Sequence, residues 1–172
     1  MAASAHKWSF FIAHARADLG TARQLYDRLA PHAPTFLGSV CIELGADWDL
    51  ELARAQREAL ISVVLVSSHT ERAYYQREEI AAAIELARTE GKKHRVVPVF
   101  LDAKAAASAD VPYGLRLKHG LKLTDEFGLD EAARKLLDFL RRVQDEAPKG
   151  PSREKQLPPP PFSLRPWWLA GR

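Results

Sequence analysis

The stretch ISVVLVSSHTERAYYQREEI, residues 61–80, decides how the rest of the chain is read. Its first six residues are dominated by Ile, Val and Leu, too few for a helix and rich in β-branching, as in a strand covered on both faces. Ser67-Ser68 and a polar turn follow. The chain then enters a helix over about residues 72–89, whose apolar stripe is Ile80, Ala83, Ile84 and Ala87. Tyr75 and Glu79 lie four residues apart on it and share one face. The unit delivers an aromatic ring and a carboxylate to one edge of a sheet. Whether Glu79 is chemistry or a solvated helix charge depends on what else reaches that edge.

Working outward, WSFFIA (8–13) is a short, nearly continuous apolar run that reads as a first buried strand. Asp18 is placed to cap a helix with the stripe Leu19, Ala22, Leu25, Tyr26 and Leu29, ended by Pro31 and Pro34. A brief strand at 35–37 leads into an irregular segment, 38–45. Asp47 can cap the next helix, with Asp49 and Glu51 in its first turn and Trp48, Leu52, Ala55 and Ala59 as the expected buried stripe. After Gly91, RVVPVFL (95–101) reads as a strand whose Pro98, lacking an N–H, implies a bulge. Residues 103–120 show no clear period. A short strand at 121–123 precedes a helix from Asp130 carrying Ala133, Leu136, Leu137, Leu140 and Val143. Strands alternating with helices specify a parallel α/β sheet. Five of them suit a flavodoxin-like, doubly wound five-stranded sheet with helices on both faces. The domain spans 1–147. Seven of the eleven prolines lie in the tail, 148–172, which ends in an apolar cluster, Phe162, Leu164, Trp167, Trp168 and Leu169, suited to docking on this domain or a partner.

A chain of 172 residues with 47% hydrophobic side chains can fill one core. Its net charge is +3 and its pI near 9.1. The basic clusters Lys92-Lys93-His94-Arg95 and Arg141-Arg142 are short and interspersed with acids, which reads as a solvated surface and not a nucleic-acid stripe. The single cysteine, Cys41, cannot form an intrachain disulfide and fits a reducing compartment. MAASAHKW lacks the apolar core of a secretory signal, and no run is long enough to span a bilayer, so the expectation is a soluble, cytoplasmic protein.

In open α/β sheets ligands bind beyond the carboxyl ends of the strands. The first such turn reads Ala13-His14-Ala15-Arg16-Ala17-Asp18, without the glycines a dinucleotide fold needs against pyrophosphate, and Walker A is absent. A phosphoryl-accepting receiver would need acids where the chain has Ala-His and Ser-Ser. The histidines are scattered and form no metal-ligand spacing. Ser68-His69 lacks a nucleophile elbow, and adjacent residues rarely face each other.

The turns together carry a resemblance. FFIAHARADLGTARQLYDRL, FLGSVCIELGADW, the strand at 61–67, RVVPVFL and residues 126–140 resemble, in order and spacing, the strands, BB loop and last helix of Toll/interleukin-1 receptor (TIR) domains. Many members cleave the nicotinamide–ribose bond of NAD⁺, with a catalytic glutamate four residues after an aromatic. The resemblance implies Glu79 as that carboxylate. It implies substrate contacts from Ala15, Arg16, Glu43, Trp48 and Tyr75, with Trp48 read more strongly as a core residue of its helix. It further implies NAD⁺ as substrate without cofactor or metal, a linear or cyclic ADP-ribose product, self-association through TIR–TIR contacts, and a sensor or adaptor partner. The Ala- and Arg-rich composition suggests a bacterial source and, with it, a role in bacterial immunity. Departures from the pattern are Ala13 for serine, Gly38 for aspartate and Tyr75 for tryptophan. The first two, at positions 13 and 38, motivate an alternative, a non-catalytic adaptor acting by homotypic contacts.

Overall fold

The computed structural model describes residues 6–107, 111–123 and 128–146. The proline-rich segment 148–172 lies outside the described residues. The elements in order are β1 (Trp8–Ala13), α1 (Leu19–Leu29), β2 (Thr35–Phe36), α2 (Gly38–Cys41), α3 (Trp48–Arg57), β3 (Ala59–Val66), α4 (Tyr74–Thr89), β4 (Arg95–Phe100), α5 (Ala103–Ala107), α6 (Tyr113–Arg116), β5 (Leu121–Lys122) and α7 (Leu129–Glu146). All strand pairs are parallel, in the order β2-β1-β3-β4-β5. This is the doubly wound order expected from the alternation of strands and helices. Among the described residues, no helix is long and apolar enough to cross a membrane.

Strand periodicity divides the core in two. Phe10, Ile12, Ile61, Val63 and Leu65 point to one face, where α1 and α7 cover them with Leu25, Leu29, Leu136 and Leu140. Phe11, Ala13, Val64 and Val66 point to the other, against Ala55 of α3 and Ile80 and Ala83 of α4. The central β3 is buried at all eight positions. Each large apolar side chain fully withdrawn from water there stabilises the fold by about 1.5–3 kcal/mol.

Three local expectations are corrected. Pro98 causes no bulge: β3 and β4 pair without interruption from Ile61↔Arg95 to Val66↔Phe100. Leu101 N–H donates back to Val66 O, whereas Phe100 O accepts from Leu123 N–H. By alternation, position 98 therefore faces the β5 side, and β5 begins only opposite Val99. The missing N–H interrupts no ladder. Ala59 belongs to β3, because α3 ends at Arg57. Trp48 is not core: it is 47% exposed at the first position of α3.

Ser62 and His94, buried at the start of the sheet, are matched to each other and to the backbone. Ser62 Oγ–H donates to His94 Nε2 at 3.0 Å, and His94 Nδ1–H donates to Ala59 O at 2.9 Å. Burial pushes the His94 pKa down, consistent with the neutral ring this pattern requires.

Gly120 fills the place beside Pro98 where a longer β5 would lie. A Cβ there would sit 2.5 Å from Pro98 O and 2.7 Å from its Cγ, so the backbone itself would have to move. Gly120→Ala is expected to destabilise the domain by about 1–3 kcal/mol, read as a lower urea midpoint. An unchanged midpoint would contradict the packing at this edge.

Candidate active site

Where β1 and β3 end, hydrogen bonds tie the two exits together. Ser67 Oγ–H donates to Asp18 Oδ2 at 2.5 Å, both residues being buried. Ser67 N–H donates to Thr70 Oγ1 at 3.0 Å, and His69 N–H donates to Ser67 Oγ at 3.1 Å. Asp18 does occupy the N-cap position of α1, but its side chain makes no cap bond. The carboxylate is used across the sheet edge, fixing the turn of Arg16 against the turn before α4. Asp47, by contrast, caps α3 as expected, accepting from Leu50 N–H at 3.0 Å.

Two glutamines seat α4. Gln76 Nε2 donates to Leu65 O in β3 at 2.6 Å, and Gln56 Nε2 of α3 donates to the backbone carbonyl of Glu79 at 2.7 Å. Both side chains are buried. A helix anchored at 76 and 79 holds the face between them against the sheet edge.

That face borders a cavity of about 390 Å³, lined by Ile12, His14, Arg16, Leu19, Gly38, Ser39, Trp48, Leu52, Ala73, Gln76 and Glu79. It therefore lies at the carboxyl ends of β1, β2 and β3. Three residues expected from sequence meet here: Arg16 and Trp48 across from Glu79. Glu78, the rival carboxylate, is exposed. Ala15 does not line the cavity. It is buried, and its carbonyl accepts from Asp18 N–H at 2.8 Å and His14 Nδ1–H at 2.9 Å, so it shapes the turn that presents Arg16.

Glu43 is not brought to Glu79. The short α2 turns the chain over, and Glu43 lines a neighbouring cavity of about 300 Å³ with Lys7, Trp8, Cys41 and Arg54. The chain turns again at Gly45, whose φ of 84° is the left-handed conformation that glycine adopts without strain. Position 75 lies on α4, one turn before Glu79, but the Tyr75 side chain lies outside the described residues. Ser68 and His69 are exposed and line neither cavity.

Gly38 explains the exposure of Trp48. A Cβ at position 38 would lie 3.1 Å from Cζ2 of the indole. The bare backbone lets the ring lie over the start of α2, where one side packs and the other faces the cavity. Gln56, Gln76 and the Asp18–Ser67 pair were not singled out as site residues from sequence. For Gln76 a signal existed: at 76, 80, 83 and 87 it interrupts an otherwise apolar helix stripe with an amide.

Glu79 is the perturbed group. Surrounded by Ile12, Leu19, Leu52 and Trp48, its carboxyl is half-buried, and the loss of water pushes its pKa up from 4.5 to about 8. His14 and Arg16 are the other titratable groups lining the cavity. Among the described residues, no group of three or more His, Cys, Asp or Glu side chains is arranged to hold a metal ion.

A family model described as a TIR domain matches residues 10–137. Among solved structures, a metazoan TIR-STING receptor from C. gigas, in complex with 2′,3′-cGAMP, is similar with a TM-score of 0.62 and 18% identity, over 80% of this chain and 40% of that one. The chain thus spans less than half of that receptor's length. The TIR domain of the Toll-related receptor TRR-2 from Hydra magnipapillata gives 0.60 at 15% identity, covering 78% and 99%. The TIR domains of the activated Roq1 resistosome, which directly recognises the pathogen effector XopQ, give 0.53 at 18%, covering 81% and 82%. At these identities the likeness to solved structures shows the fold alone. No curated protein matches the chain significantly.

Unfolded, Glu79 titrates near 4.5; folded, it holds its proton to about 8. Its contribution is full below pH 4.5 and declines as pH rises through 8, by on the order of 3–5 kcal/mol. Glu79→Gln, neutral at every pH, is expected to remove most of that decline when urea unfolding is compared at pH 5 and pH 9. Equal slopes for the two proteins would contradict the burial of this carboxyl.

Proposed function

The chain belongs to the TIR-domain family, and we propose that it cleaves the nicotinamide–ribose bond of NAD⁺ with Glu79 as the catalytic carboxylate. The observation that carries this reading is the Glu79 carboxyl, one wall of a largely apolar cavity at the carboxyl ends of the strands, with Arg16 and Trp48 on the others. The chemistry asks little of the protein. The C1′–N bond breaks with both electrons going to the ring nitrogen, so a pyridinium leaves as neutral nicotinamide and needs no general acid. The sugar becomes an oxocarbenium-like cation, as in glycoside hydrolysis. Water then bonds to C1′ and releases a proton to give ADP-ribose; capture by an adenine nitrogen instead gives a cyclic product. No cofactor enters, since NAD⁺ is the substrate.

A carboxylate about 4 Å from the developing cation is worth on the order of 4 kcal/mol at an effective dielectric of 20, roughly a thousandfold in rate. The apolar walls serve this purpose twice. They lower the dielectric around the charge, and they keep the Glu79 carboxyl neutral until a cation arrives. Arg16 suits a phosphate of the substrate. Trp48, with one face exposed to the cavity, suits a base.

Glu43 lines a cavity other than that of Glu79, and its neighbour Leu44 is fully exposed. Together they support an active form in which this loop meets a second copy. The same exposed loop supports the adaptor reading, in which copies associate without turnover, and the assay separates the two.

Purified protein incubated with NAD⁺ is expected to release nicotinamide, more per molecule at higher protein concentration. Glu79→Gln is expected to lower the rate by about a hundredfold or more. For the wild-type protein kcat/KM is expected to rise with pH and level off above about 8, where the free carboxyl ionises. Equal release by Glu79→Gln, or self-association with no release at any concentration, would overturn the catalytic reading.

A further inference from the structure

Gln76 is only 2% exposed, yet it lines the cavity that holds Glu79. Its Nε2 faces the carbonyl of Leu65 at 2.6 Å. A carbonyl can only accept, so the amide cannot be reversed, and the remaining branch is the oxygen. That oxygen, Oε1, is buried and has no hydrogen-bond partner. Buried acceptors are nearly always matched in folded proteins, and an exception in a cavity wall marks a place where a ligand donor belongs. Gln76 is also one helical turn before Glu79, so the two side chains are neighbours on α4.

We infer that Gln76 Oε1 accepts a hydrogen bond from a hydroxyl of the ribose whose C1′ carries the nicotinamide. This rests on the NAD⁺ reading and names which part of that substrate the buried amide meets. A vicinal diol offers two O–H donors side by side, matching two acceptors side by side, one from Gln76 and one from Glu79. The nicotinamide carboxamide, the other donor in that half of the substrate, sits on the ring carbon meta to the nitrogen that carries C1′, farther from the breaking bond than the 2′-hydroxyl. A group adjacent to a carboxylate that faces C1′ reaches the sugar first. Gln76 is then a specificity-determining residue: its nitrogen is fixed by the sheet, and its oxygen reads the sugar.

The test is a binding cycle that does not depend on turnover. In a Glu79→Ala background, Kd is measured by calorimetry for NAD⁺ and for its analogues lacking the 2′- or the 3′-hydroxyl of the nicotinamide ribose, with and without Gln76→Met. Gln76→Met is expected to weaken NAD⁺ by about tenfold to a hundredfold while leaving unchanged the analogue that lacks the contacted hydroxyl. Equal weakening of all three ligands would mean that the amide only anchors α4, and would overturn the inference. Nicotinamide release by the protein with Glu79 intact is scored separately. Release with no Gln76 coupling removes this inference and keeps the catalytic reading; coupling without release does the reverse; neither binding nor release removes both. Where Gln76→Met does not fold, the Gln76 side-chain carbonyl ¹³C signal of the Glu79→Ala protein gives the same answer. It should move with NAD⁺ and not with one deoxy analogue; movement with both analogues alike would overturn the inference.

Discussion

The amide of Gln76, 2.6 Å from the carbonyl of Leu65, is the contact on which the arrangement around Glu79 depends. The carbonyls at the end of a parallel strand need partners once the ladder stops, and a side chain from the following helix supplies one here. Its effect is positional. The bond sets the rotation of α4 about its own axis, and the second amide, Gln56 to the Glu79 carbonyl, sets how close α3 lies. With the Asp18–Ser67 bond joining the β1 and β3 exits, the walls of the cavity are held by hydrogen bonds that are largely buried. None depends on the mobile geometry of an exposed ion pair, which contributes about 0–1 kcal/mol.

Such a frame makes possible what a helix surface would not tolerate unaided: a carboxyl half-buried in a largely apolar pocket. Desolvation costs stability when Glu79 ionises, and the fold carries that cost because the neighbouring strand and helices are packed on both sheet faces. The cost is also the functional property. In the proposed reaction, a site that resists charge while empty and gains an ion pair when a cationic sugar forms would favour the transition state over the free state. Gly38 and Trp48 belong to the same design, since bare backbone at 38 admits the indole that closes the pocket. The departure from the family's aspartate at this position exchanges a polar group for an apolar wall.

Much of the fold was legible because two simple periods carry it. Apolar runs marked β1, β3 and β4 to within two residues, and Ala22, Leu25 and Leu29 of α1 and Ala133, Leu136, Leu140 and Val143 of α7 lie on the core as the sequence places them, whereas Leu19 is exposed and lines the cavity. What was not legible is tertiary. Nothing in the letters distinguishes an Asp18 that caps its helix from one that crosses to Ser67. An indole at the start of an apolar stripe reads as core unless the glycine beneath it is known to be a neighbour. Pro98 suggested a bulge because the sequence does not show how short β5 is. For the site, spacing alone made Glu79 one helix charge among several; the resemblance singled it out, and in the structure it lines the same cavity as Arg16. Glu43 matched in sequence but faces another cavity, since a four-residue helix was enough to turn the loop over.

Burial keeps the Glu79 carboxyl protonated in the empty cavity, and the proposed reaction has it ionise for a cationic ligand. Carboxyl ¹³C NMR, with Glu79 assigned by comparison with Glu79→Gln, tests it most directly. The predicted result is a midpoint at about 8 in the free protein, falling when NAD⁺ is bound to a slowly turning-over sample. A midpoint near the ordinary 4.5 in the free protein would contradict the account.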